Sequence, residues 1–281
     1  MLPRRRVFSA RDGLRLSALE WEGPAGPTPL LCLSGVSRSA LDFEEIAARY
    51  CATRRVVALD YAGHGESARA ADPSRYAPPV LLQDVADAIA ALGLHRVALL
   101  GTSLGGLLGM GLGTVRPGLL AGLAMNDTGP ALEQGGLGMV RDFIGRDPAF
   151  GSLDEAIAFL KQKLPPLGIT EEGWPRVAER TYRRGEDGRL HPRWDIRVVD
   201  ALPAEGSGPD GLWLLFQAIP PVPLLLVWGQ ESRVLSATTV QRMRRLRPEM
   251  ALATLPGIGH APTLSEPAAL EALDRWLAAV G

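Results

Sequence analysis

Ser103 stands at the centre of Gly101-Thr-Ser103-Leu-Gly105, directly behind the apolar run Val97-Ala-Leu-Leu100 and ahead of an apolar helical stretch from Leu104 to Val115. Glycines on both sides permit a cramped strand-to-helix turn, which lifts the serine hydroxyl above the strand end where a base can reach it. A hydroxyl is a poor nucleophile at neutral pH unless a neighbouring base takes its proton during attack, and imidazole has the affinity for protons that this task needs. The oxyanion that forms on an attacked carbonyl needs preorganised donors, and the backbone N–H of Leu104 lies at the helix start behind the turn. The plain alternative is a glycine-rich helix start that packs closely or holds a phosphate. The surroundings argue against it: a strand pattern precedes the serine, a helix follows, and Gly257-Ile-Gly259-His260 closes another strand pattern near the C-terminus.

The elements around these residues alternate. Arg5 to Ser9 and Leu14 to Glu20 read as a hairpin turned by Arg11-Asp12-Gly13. Pro29 to Leu33, Arg55 to Leu59, Arg96 to Leu100, Leu119 to Met125, Pro223 to Trp228 and Ala251 to Leu255 are apolar runs of the kind buried on both faces of a sheet. Helical spacing covers about Leu41 to Ala52, Pro79 to Leu92 with Gly93 ending it, and a last helix capped by Ser265 and running to Val280. The fold class is therefore α/β, a mostly parallel sheet with helices on both faces, and ligands are expected beyond the carboxyl ends of the strands. One block breaks the alternation. From about Gly129 to Leu215 the pattern is helical, with a capping-box spacing at Ser152-Leu-Asp-Glu155, a second helix after Thr170 and a polar turn at Glu186-Asp187-Gly188. Because it interrupts the sheet between two strands, this block is expected to lie over the strand ends as a lid (129–215), with the core formed by 1–128 and 216–281.

Composition narrows the classes. The chain of 281 residues, 46% hydrophobic and with a formal net charge of -1, suits a soluble globular fold and gives no electrostatic footprint for nucleic acid. No run reaches the length of a membrane span, and the arginines near the N-terminus have no apolar segment behind them, so a cytoplasmic location is expected. Cys32 and Cys51 fall in apolar patterns and are expected as free thiols. The expected partner is a small-molecule substrate, with neither nucleic acid nor membrane; the sequence assigns no oligomeric state.

Four features in order resemble the α/β-hydrolase superfamily over essentially the whole chain: Ser34-Gly35 at the oxyanion-loop position, Asp60-Tyr-Ala-Gly63-His-Gly65-Glu-Ser67 after the next strand, the turn at Ser103, and Gly259-His260. The lid insertion after the strand that follows the serine also matches. The resemblance implies His260 as the base, leaving His64, His95 and His191 with surface or internally satisfied loop roles. It implies the backbone N–H of Val36 as the second oxyanion donor; Ser34 replaces the histidine common before that glycine, which leaves a backbone donor untouched. It places the acid of the triad at the end of Gly-x-x-Asp after the strand Leu224 to Trp228, where this chain has Gly229-Gln-Glu-Ser232. Ser232 carries no charge to stabilise an imidazolium. Two carboxylates compete for the role: Asp127, in Met125-Asn126-Asp127-Thr128-Gly129-Pro130, at the strand end from which some relatives draw their acid, and Glu231, one residue short of the usual place but longer.

With serine at the nucleophile position, acyl transfer to water is the expected chemistry, on a small, largely apolar carboxylic ester or lactone and without cofactor or metal. Hydrolysis of a diketone C–C bond, a cofactor-free dioxygenase using His260 and Asp127, and a non-catalytic small-molecule receptor are the alternatives. Phe143, Trp174 and Trp194 are candidates for an apolar pocket, although helix aromatics more often serve a core, and they are not counted as site residues.

Overall fold

The computed structural model describes residues 2–131, 133–202 and 210–281; Leu132 and residues 203–209 of the expected lid lie outside the described residues. Strands β1 (Arg4–Ser9) and β2 (Arg15–Trp21) form the antiparallel hairpin, and β2 runs antiparallel to β4 (Val56–Asp60). From there the sheet is parallel through β3 (Leu30–Leu33), β5 (Val97–Thr102), β6 (Leu120–Asn126), β9 (Leu224–Gly229) and β10 (Ala251–Leu255), in the order β1-β2-β4-β3-β5-β6-β9-β10. Every residue of β3, β4 and β6 is buried, which is why these strands are continuous apolar runs rather than alternating ones.

Successive residues serve opposite faces. Leu31, Leu33, Val57, Leu59, Leu99 and Leu123 join the core beneath α2 (Pro78–Ala91) and α3 (Leu104–Val115). Leu30, Cys32, Val56, Ala58, Leu100 and Ala124 join the other face, covered by α1 (Glu44–Tyr50) and α9 (Pro267–Val280). Cys32 and Cys51 are both buried and free. Ser265 does not cap α9: its hydroxyl pairs with Thr263 Oγ1, Glu266 takes the N-cap position, and Pro267 needs no acceptor for the N–H it lacks.

Between β6 and β9 the chain forms α4 (Gln134–Ile144), α5 (Leu153–Lys163), α6 (Trp174–Thr181), a small hairpin of β7 (Tyr182–Arg184) and β8 (Leu190–Pro192), and α7 (Asp210–Gln217). The hairpin departs from the all-helical expectation; its turn is the polar Glu186-Asp187-Gly188, with Gly188 at positive φ. Ser152 caps α5 by accepting the Glu155 N–H, while Glu155 reaches back to the Gly151 N–H, one residue beyond a standard capping box. The boundary expected at 215/216 falls inside α7, where Leu215 O accepts from Thr114 of α3, so this helix packs on the core. The last connection is α8 (Ala237–Leu246), between β9 and β10. No helix among the described residues is long and apolar enough to cross a membrane.

Two glycines let α3 approach the sheet. A Cβ on Gly105 would lie 2.1 Å from Leu33 O, and one on Gly101 would lie 2.3 Å from the Gly105 backbone carbon. Both obstacles are backbone atoms, which cannot swing aside. Gly105→Ala is therefore expected to destabilise the fold by about 2 kcal/mol or more, read as a lowered urea midpoint with an unchanged denaturant slope.

Candidate active site

Ser103 sits at the junction of β5 and α3 with φ 50° and ψ -113°, a conformation that costs a non-glycine residue roughly 1–3 kcal/mol and must be held by its surroundings. The end of β6 holds it. Ser103 N–H donates to Asn126 O at 3.0 Å and Thr128 Oγ1 donates to Ser103 O at 2.7 Å, while the N–H groups of Gly106 and Leu107 close the first helical turn on the same carbonyl. The strain thus falls on the serine itself, and the flanking glycines supply room rather than unusual dihedrals.

The loop after β10 brings His260 over this turn. Its Nε2 lies 3.0 Å from Ser103 Oγ and its Nδ1 lies 2.7 Å from Asp127 Oδ2. Because Asp127 accepts at Nδ1, that nitrogen carries the hydrogen and Nε2 is left as the acceptor facing the serine. Asn126 ties the loop down by donating from its side-chain amide to Pro262 O at 2.9 Å. Asp127 is fully buried and itself at positive φ, with its N–H on Val227 O of β9. Its Oδ1 accepts the Gly229 N–H at 3.1 Å, and its Oδ2 accepts the Ser232 hydroxyl at 2.6 Å. Of the two carboxylates left open by the sequence, Asp127 is the one at the imidazole. Glu231 is exposed on the cavity lip, and its backbone N–H is bonded to Ile258 O.

Leu104 is the first residue of α3, so its N–H is one of those an α-helix leaves without an intrahelical partner. Val36 faces the same turn from across Gly35, whose Cβ, if present, would be only 3.6 Å from Ser103 Cβ. His64 steadies that loop from below: it is buried, with Nε2 2.7 Å from Val36 O and Nδ1 3.0 Å from Ala62 O, and burial lowers its pKa. His191 lies far along the chain in β8, between Asp147 and Asp187, whose carboxylates raise its pKa. His64 is the internally satisfied loop histidine that the sequence implied; reading by sequence missed the supporting roles of Asn126, Thr128 and Ser232, of which only Ser232 carried a signal, its place where an acid was expected.

A cavity of about 1040 Å³ opens above Ser103 and His260. Its walls include Met139, Val140, Phe143 and Ile144 of α4, the Leu164 to Thr170 loop, and Val177 of α6. Phe143 lines it, but Trp194 is buried in the aromatic packing behind, donating its indole N–H to Ile144 O, and Trp174 packs on the core beside Lys161.

The model of the alpha/beta hydrolase family matches residues 30–273, a span that contains the turn at Ser103, the strand end at Asp127 and His260. The chain is an α/β-hydrolase. Among proteins of this family it is 33% identical over 263 residues to a 3-hydroxybutyrate-oligomer hydrolase of Cupriavidus necator, covering 90% of this chain and 89% of that one. It is 26% identical to a 2-(acetamidomethylene)succinate hydrolase of Mesorhizobium japonicum, over 85% of this chain and 83% of that one. A crystal structure of an alpha/beta hydrolase from Novosphingobium aromaticivorans superposes with a TM-score of 0.93 at 36% identity, covering 99% of both chains.

The two carboxylates make a ranked expectation. Asp127→Asn keeps the shape but puts an amide where the imidazole needs an acceptor, and turnover should fall by about 10² to 10⁴, whereas Glu231→Gln should stay within about threefold of the parent. Steady-state kinetics on both variants checks this, and the opposite ranking would move the acid to Glu231.

Proposed function

We propose that this α/β-hydrolase is a serine hydrolase that cleaves a small aliphatic carboxylic ester through an acyl-enzyme on Ser103. The observation that carries the reading is the unbroken chain Ser103 Oγ, His260 Nε2, His260 Nδ1, Asp127 Oδ2, in which Ser103 and His260 line the cavity and Asp127 is buried behind them. The serine oxygen attacks the ester carbonyl while His260 takes its proton at Nε2, and Asp127 stabilises the imidazolium. The backbone N–H groups of Leu104 and Val36 receive the oxyanion. As the tetrahedral intermediate collapses, His260 returns the proton to the leaving alkoxide, and the alcohol departs. Water then repeats the sequence on the acyl-enzyme, with His260 again as base, releasing the acid and restoring Ser103.

The cavity and the relatives together support this substrate class. A volume of about 1040 Å³ is at the upper end for small-molecule sites, and its walls are apolar near α4, with charged side chains such as Arg176, Arg180 and Glu231 elsewhere in the lining. An ester of a short hydroxy acid, or a short oligomer of such esters, suits a roomy cavity of mixed lining, and the similar Cupriavidus necator protein is named for hydrolysis of 3-hydroxybutyrate oligomers. The segment that follows β6, up to the start of α7, acts as the lid. One edge is stitched to the core at the turn after β4, where Gly65 N–H donates to Arg193 O and Asp195 N–H donates to Gly63 O, each at 2.7 Å. The protein works in the cytoplasm without a cofactor.

A fluorophosphonate probe should label the wild type at Ser103 and leave Ser103→Ala unlabelled, while that variant loses at least about 10³ in turnover. Labelling with hydroxybutyrate dimers and trimers turned over would support the reading. Turnover retained within about tenfold in Ser103→Ala would overturn it, as would oxygen uptake or diketone cleavage in place of ester hydrolysis.

The lid wall makes its own prediction. Phe143→Ala opens the cavity beside α4, so kcat/KM should shift toward longer acyl chains by about 5- to 50-fold relative to shorter ones. Trp174→Ala, outside the lining, should leave the chain-length profile as it was. Competition assays over a homologous series of esters measure both.

A further inference from the structure

Ser232 occupies the turn after β9 where the family pattern expects an acid, and its hydrogen bonds have a direction that geometry fixes. Its Oγ accepts the N–H groups of Val234 at 3.2 Å and Leu235 at 3.1 Å. With both lone pairs engaged, its single proton points to the remaining neighbour, Asp127 Oδ2, at 2.6 Å. That oxygen is the same one that holds His260 Nδ1. The carboxylate has no solvent exposure, so its orientation depends on three donors: the Gly229 N–H on Oδ1, and Ser232 and His260 on Oδ2. Gly229 and Ser232 belong to the β9 turn, whereas Asp127 belongs to the end of β6.

We propose that Ser232 is a positioning residue whose hydroxyl aims the Asp127 carboxylate at His260, so that the acid function is assembled from two strand ends: the charge from β6 and the orienting donor from the β9 turn. The inference rests on the Ser103–His260–Asp127 reading above. Removing the hydroxyl leaves Oδ2 with the imidazole as its single partner and lets the carboxylate rotate about its χ2, the torsion that staggering holds least. A buried charge that loses a donor also loses part of what offsets its desolvation.

The competing role is structural, since accepting from Val234 and Leu235 would by itself shape the turn. A double-mutant cycle separates the two. Ser232→Ala should lower kcat by roughly 5- to 30-fold with KM within about twofold, and should have almost no further effect when added to Asp127→Asn, because the hydroxyl acts through the carboxylate. Ser232→Thr, which keeps the hydroxyl, should retain most of the turnover. Fluorophosphonate labelling and the nitrogen resonances of His260, recorded without substrate, accompany each variant. If the wild type is labelled and active but the Ser232→Ala and Asp127→Asn losses multiply independently, Ser232 is a turn residue only and the proposal fails. An unlabelled, inactive wild type instead removes the serine-hydrolase reading. If Ser232→Ala does not fold, the threonine variant still decides: a folded Ser232→Thr whose turnover and His260 nitrogen resonances depart from the wild type overturns the proposal.

Discussion

The register between β5 and β6 is the constraint on which the site depends. Val97 pairs with Leu120 but Ala98 with Gly122, so β6 carries one extra residue, and from there the pairing runs on to Thr102 and Asn126. That offset places Asn126 O under the Ser103 N–H and Thr128 Oγ1 on the Ser103 carbonyl, which together hold the serine in its strained conformation. It also sets Asp127, between those two residues, where its carboxylate meets His260. Without the irregularity, each residue at the end of β6 would be displaced by one position and its side chain turned to the opposite face. A single local feature of the sheet thus positions the backbone of Ser103 and the carboxylate that meets His260 at once.

The second constraint is the cost of burying that carboxylate. A buried, ionised aspartate is tolerated only when hydrogen bonds and a partner replace the water it has lost. Here backbone and side-chain donors of the β9 turn share the work with the imidazole, and Asn126 anchors the loop that carries it. The carboxylate at the end of one strand is therefore stabilised by the neighbouring one, and α3 can lie close above because Gly101 and Gly105 have no side chains in the way. His64 does comparable work on the opposite flank, bracing the Gly35–Val36 loop against the turn after β4, the same turn to which the β6–β9 segment is bonded.

Much of the architecture was legible in the chain. Strands buried on both faces must be apolar throughout, so β3 to β6 and β9 announced themselves as runs, and the glycine-flanked serine could follow only such a strand. Short-range chemistry was legible as well: Ser152 and Glu155 form the cap that their spacing implies, although the carboxylate chooses Gly151. The fold departs from the local pattern where more than one residue or element type suits the same stretch. Ser265 gave way to Glu266 beside Pro267, and the polar turn at Glu186 to Gly188 closes a small hairpin where only helices were expected.

By itself the sequence determined the α/β class, the alternation of strands and helices and the inserted segment, because these follow from hydrophobic period and glycine placement; it put Ser103 forward by its glycine-flanked turn and His260 by the family resemblance. It left Asp127 and Glu231 both open, since chain order and residue type suit either. Only the tertiary structure decided between them. Which carboxylate meets an imidazole is set by strand register and by which buried donors converge on it, and both are properties of elements more than a hundred residues apart in the chain. For the same reason, the hydroxyl at position 232 could be read in sequence only as a missing charge, while in the folded chain it is the donor that holds the charge supplied from the next strand.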